Sequence, residues 1–76
     1  MRNSQEVANA IKTYAKHKNI TIGTMLIDCN LSKNTLSSMQ SGGYLPRVET
    51  LIKIADYLDC SVDYLLGRTD NPEVHR

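Results

Sequence analysis

The chain has 76 residues, 41% of them hydrophobic, with neither Trp nor Phe, which suffices for one modest core and is too short for two domains. The net charge is only +1, no apolar run approaches a membrane span, and two cysteines are too few for a disulfide scaffold. The opening Met-Arg-Asn-Ser-Gln-Glu lacks a signal peptide's hydrophobic core, so a reducing cytoplasm is the expected setting, with Cys29 and Cys60 as buried thiols.

Strand signals are poor: no sustained alternation and no Asn-Gly or Asp-Gly hairpin turn occur. The pattern predicts an all-α fold, five helices in one compact domain over residues 1–67 with a polar tail at 68–76. The first helix is expected from about Ser4 to Lys18, capped by Asn3 or Ser4, with Glu6 near its start and Lys16, His17 and Lys18 at its negative end. Val7, Ala10, Ile11, Tyr14 and Ala15 form its inward stripe.

Residues 20–43 predict two short helices joined by a tight turn. Met25, Leu26 and Cys29 recur at helical spacing in the first of these, and Leu36 and Met39 in the second. Thr21 is positioned to cap one and Ser32 the other, while Asn30 tolerates the left-handed backbone of the turn and Leu31 plugs the corner. The outward positions of the later helix are then Lys33, Asn34, Ser37 and Ser38. A helix that buries one side and offers a lysine, an amide and hydroxyls on the other suits a DNA major groove. The segment reads as a helix-turn-helix.

Ser41, Gly42 and Gly43 end that helix, and Tyr44, Leu45 and Pro46 connect onward. A fourth helix to about Leu58 is expected to bury Val48, Leu51, Ile54, Ala55 and Leu58. Ser61 caps a last short helix carrying Val62, Leu65 and Leu66 and stopped by Gly67. The tail from Arg68 contains Pro72, has no apolar period and is expected to be loose.

Charge is unevenly spread. In residues 12–47, Lys12, Lys16, Lys18, Lys33 and Arg47 oppose Asp28 alone, a net +4. In residues 48–76, Glu49, Asp56, Asp59, Asp63, Asp70 and Glu73 outnumber Lys53, Arg68 and Arg76, a net −3. A basic half containing the reading helix, with an acidic half behind it, would orient the domain on a polyanion. Other chemistry is weakly signalled. His17, Cys29, Cys60 and His75 lack metal-ligand spacing, no Gly-rich phosphate loop is present, and no metal, cofactor or enzymatic activity is expected.

Three segments in order, Leu-Ser-Lys-Asn-Thr-Leu-Ser at 31–37, Glu-Thr-Leu-Ile-Lys-Ile-Ala at 49–55 and Ser-Val-Asp-Tyr-Leu-Leu-Gly at 61–67, resemble the Cro and phage-repressor type of helix-turn-helix regulator. The resemblance runs from Ile11 to Pro72 and implies a five-helix, lambda-repressor-like fold that binds double-stranded operator DNA, usually as a homodimer and usually to repress transcription. It places Lys33, Asn34 and Ser38 where base edges are read, and Ser37 and Thr35 where base edges or backbone are approached. Thr21, Ser41, Gly43, Tyr44 and Arg47 fall near phosphates. The chain departs from the family at Ile22, where a phosphate-bonding glutamine is common, at Gly23, and at Leu26, where a small alanine is usual. It departs again at Arg47, a cap position without a side-chain acceptor.

A sequence-specific DNA-binding regulator is therefore expected. The alternatives are a protein-binding helix-turn-helix module, antitoxin-like or antirepressor, which Ile22 favours, or the N-terminal part of a longer repressor. Dimerisation is expected through spare apolar side chains of the acidic half: Tyr57, Tyr64, Val62 and Leu65.

Overall fold

The computed structural model describes residues 2–73; His75 therefore lies outside the described residues. Five helices follow in the expected order: α1 Ser4–His17, α2 Ile22–Asp28, α3 Thr35–Gln40, α4 Val48–Leu58 and α5 Val62–Leu66. None of them is long and apolar enough to cross a membrane.

Local chemistry starts and stops each helix. Asn3 and Glu6 form a reciprocal capping box at α1, Asn3 Oδ1 accepting from the Glu6 amide and Glu6 Oε1 from the Asn3 amide. Ser61 caps α5 by accepting from the Tyr64 amide. Four helix ends share one closing geometry, in which a residue in the left-handed region reverses the chain and two amides turn back onto the last carbonyls. Asn19, Asn30, Asp59 and Gly67 hold that conformation. The returning long bonds are Ile20 to Ala15, Leu31 to Leu26, Cys60 to Ala55 and Arg68 to Asp63, at 2.8–2.9 Å. Asn and Asp tolerate this backbone better than other side-chain-bearing residues, so three of the four closures do without glycine.

The core joins all five helices: Val7, Ala8, Ile11 and Ala15 from α1, Met25 and Leu26 from α2, Leu36 and Met39 from α3, Leu51, Ile54, Ala55 and Leu58 from α4, then Cys60 and Leu65. Leu26 is accommodated at 4% exposure despite its size. Ala8 joins the core although the periodic reading passes over it. Val48 does not: it is 65% exposed, because α4 turns its Leu51–Leu58 side inward and leaves its first residue outside. Leu65 is fully buried, Tyr64 packs edge-on to Tyr14 at 5.3 Å, and Tyr57 bonds Asp28, so the expected dimer patch of Tyr57, Tyr64, Val62 and Leu65 is largely spent on this domain's own packing.

The two chain ends meet at α5. The Arg2 amide donates to Leu66 O at 2.8 Å, and its guanidinium Nη1 donates to Tyr64 O at 2.7 Å, satisfying carbonyls at the helix end. The tail is not loose as far as Pro72, whose carbonyl accepts from the Ser61 amide at 2.9 Å. Gly67 sits under Arg2 with φ of +78°, and an added Cβ would lie 2.6 Å from Arg2 Cγ. Gly67→Ala is therefore expected to cost roughly 1–2 kcal/mol from the left-handed backbone alone. Urea unfolding should show a lower midpoint with an unchanged slope.

Candidate nucleic-acid interface

Met25 and Leu26 anchor α2 in the core, and Leu36 and Met39 anchor α3, so the connecting turn and the outer side of α3 are held outward. Asn30 takes the left-handed turn position at φ of 58°, and Leu31 is half-buried against the core, as the sequence suggests.

The start of α3 differs from expectation. Ser32 does not cap the helix; its Oγ accepts from the Asn34 amide two residues on, and its carbonyl accepts both the Thr35 amide and the Thr35 hydroxyl, the latter at 2.7 Å. This local turn competes with helix, as short hydroxyl side chains do. Lys33 and Asn34 consequently occupy a turn ahead of Thr35, and the Asn34 side chain makes no capping bond. Lys33, Asn34 and Ser37 are exposed and Ser38 is half-buried. Lys33 and Asn34 in the turn, with Ser37 and Ser38 on α3 itself, offer an ammonium, an amide and two hydroxyls.

The remaining sequence-singled residues divide by how committed they are. Thr35 is 8% exposed with its hydroxyl bonded internally, which leaves it little reach outward. Thr21 occupies the position before α2 but its side chain makes no capping bond and is exposed. Ser41 donates its hydroxyl to Ser38 O at 2.7 Å, closing α3, while Gly42 supplies the positive φ there. Gly43, Tyr44 and Arg47 are exposed along the connection between α3 and α4. Ile22 is half-buried against the core, extending the Met25 and Leu26 stripe rather than standing out as a surface for a protein partner.

Gln40, which periodicity does not mark, ties the end of α3 to α1. Its Oε1 accepts from Lys12 Nζ at 2.8 Å, its Nε2 donates to Asn9 Oδ1 at 3.3 Å, and its carbonyl accepts from Gln5 Nε2 at 3.1 Å. On the other side, the Tyr57 hydroxyl donates to Asp28 Oδ2 at 2.6 Å, joining α4 to the end of α2; that bond is the main reason the Tyr57 hydroxyl titrates above its usual range. Such long-range polar ties carry no period, so only the folded chain reveals them. Lys18, over the Tyr14 ring at 5.5 Å, also has an internal neighbour.

The thiols are not poised for chemistry. Burial pushes Cys60 up to about 11, and burial together with Asp28 raises Cys29 against the opposing effect of Lys53. Both stay protonated near neutral pH, where the nucleophile would have to be a thiolate. Among the described residues, no three of His, Cys, Asp and Glu converge on a metal position.

The family description of a Cro/C1-type HTH DNA-binding domain matches residues 10–71, a span that takes in all of α2 to α5 and most of α1. A curated relative, the cryptic phage CTXphi transcriptional repressor RstR of Vibrio cholerae serotype O1, is 35% identical over 68 residues, covering 90% of this chain and 57% of the relative. The chain thus spans little more than half the length of that relative. No solved structure matches it. With an outward-held turn and α3 on an all-helical core, and a family match across nearly the whole of that core, the chain belongs to the Cro/C1-type helix-turn-helix DNA-binding domains, which bind double-stranded DNA.

Proposed function

We propose that this chain is a transcriptional repressor that reads an operator in the major groove with α3 and the turn before it, acting in the cytoplasm by binding rather than catalysis. The observation that carries the reading is the exposed Lys33 and Asn34 in the turn before α3, followed by exposed Ser37 and half-buried Ser38 on a helix whose inner edge, Leu36 and Met39, is buried. Lys33 is suited to donate to guanine O6 or N7, Asn34 to pair with adenine at N6 and N7, and the serine hydroxyls to bond either partner. Thr21, just before α2, and Gly43, Tyr44 and Arg47, between α3 and α4, are exposed and are assigned to the phosphate backbone, with Ser41 offering a hydroxyl oxygen and Thr35 a marginal contributor. The repressor named above supports the regulatory direction. One such helix spans few base pairs, so a homodimer on two half-sites about one helical turn apart is part of the proposal.

Selection of bound duplexes from a random pool tests this reading: an enriched palindrome supports it, and an unenriched pool at binding saturation overturns it. Reading and positioning separate by mutation. Asn34→Ala is expected to cost about 1–3 kcal/mol on the selected site and to flatten preference at one base pair. Arg47→Ala should weaken all sequences alike and make the salt slope shallower by about one per subunit. An unchanged ratio of selected to scrambled binding in Asn34→Ala would show that α3 is not the reader.

A further inference from the structure

One side of α1 carries polar residues at one-turn spacing, Gln5, Asn9 and Lys12, and all three reach the last residue of α3. Lys12 Nζ donates to Gln40 Oε1 at 2.8 Å, Gln40 Nε2 donates to Asn9 Oδ1 at 3.3 Å, and Gln5 Nε2 donates to the Gln40 carbonyl at 3.1 Å. The side-chain amide of Gln40 and its backbone carbonyl are thus both committed to one neighbouring helix. Gln5 also lies over the exit of α3, where a Cβ added at Gly42 would meet its Nε2 at 3.4 Å. The platform is firm, since α1 has a capping box at Asn3 and buries Val7, Ala8, Ile11 and Ala15.

We propose that Gln40 is a positioning residue for DNA reading: gripped by α1, it sets the tilt of α3 and so places Lys33 and Asn34 against base edges, without touching DNA itself. The proposal rests on the operator reading above. α3 holds to the core by the side that carries Leu36 and Met39. That apolar contact settles which side faces inward, but it is non-directional and resists sliding and tilting weakly. Hydrogen bonds are directional. At the start of α3 the side-chain bonds of Ser32 and Thr35 stay within the local turn. Among the described residues, the side-chain hydrogen bonds that join α3 to another helix are those at Gln40.

Leverage makes that grip count. From Gln40 back to Asn34 is about 9 Å at ~1.5 Å per residue, so a tilt of about 10° displaces one end against the other by roughly 1.5 Å. A binding constellation tolerates only about 0.5 Å in the placement of its donors and acceptors. Phosphate contacts carry no sequence information, so a tilted α3 loses preference for its site before it loses affinity for duplexes in general. Of the three bonds, the one from Lys12 is shortest and is charge-assisted between two half-buried residues, which makes it the principal hold.

The test is the ratio of binding to the selected palindrome over a scrambled duplex, measured by fluorescence anisotropy well below the melting temperature. Gln40→Met keeps the stem and removes the amide; it should lower the ratio about tenfold, with scrambled binding nearly unchanged. Lys12→Met should act in the same direction, and the double variant should add little, because both changes remove one shared contact. Gln40→Glu keeps an acceptor for Lys12 and should retain most of the ratio. An unchanged ratio in Gln40→Met, or a loss shared equally by both duplexes as from a smaller folded fraction, would overturn the proposal. So would a salt slope shallower by about one per subunit in Lys12→Met, which would assign Lys12 to phosphate instead. Residual dipolar couplings of the free protein keep this proposal apart from the operator reading. In Gln40→Met the couplings of residues 35–40 should change while those of α1 stay as in the parent. That change in a chain without sequence preference would keep the Gln40 grip and remove the operator reading. Unchanged couplings would overturn the grip whatever the DNA result.

Discussion

Raising salt from 50 to 200 mM is expected to weaken DNA binding by roughly 10²–10³-fold, on a log–log slope of about −4 to −5. The magnitude follows from phosphate contacts, each neutralised phosphate contributing about −0.9 to the slope through released counterions. Lys33 and Arg47 are exposed, while Lys12 is engaged with Gln40 and Lys18 lies over Tyr14. Two or three contacts per subunit, doubled in a homodimer, give about four to six phosphates. Fluorescence anisotropy of a labelled palindrome across a salt series measures it. A slope near zero would exclude phosphate tracking and return the exposed edge of α3 to a protein partner.

Met39→Ala should remove a large share of the stability of the domain. Met39 is fully buried on the inner side of α3, and emptying such a site costs about 2–5 kcal/mol. A domain of this length has only roughly 4–11 kcal/mol in hand. The melting temperature should fall by about 8–40 °C, given the usual 4–8 °C per kcal/mol for small domains. Because Met39 fixes the side of α3 opposite the reading edge, DNA binding should fade together with the folded population. Met39→Leu keeps the volume and should stay within about 1.5 kcal/mol of the parent. Circular dichroism melts of both variants check this; a Met39→Ala protein melting like the parent would mean that α3 is not held by this contact.

Helix number and order, the inward residues of α2, α3 and α5, the closures at Asn30 and Gly67, and the exposure of Lys33, Asn34 and Ser37 were legible in the sequence. Each rests on an interaction within one or two turns of helix, and such interactions leave a period or a turn residue behind. Tertiary structure decided the rest. Ser32 follows the cap pattern as well as Ser61 does, yet its carbonyl captures the Thr35 hydroxyl and delays α3 until Thr35. Val48 satisfies the apolar period of α4, but the helix docks by Leu51, Ile54, Ala55 and Leu58 and leaves Val48 in solvent. Leu65 and Tyr64 look like spare apolar groups until α1 and Arg2 are packed against α5. The ties through Gln40, from α3 to α1, and through Tyr57, from α4 to α2, join residues 28 to 35 positions apart in the chain. Periodicity records which side of a helix is apolar; the partner that covers it, and the polar bonds that fix its tilt, exist only once the helices have met.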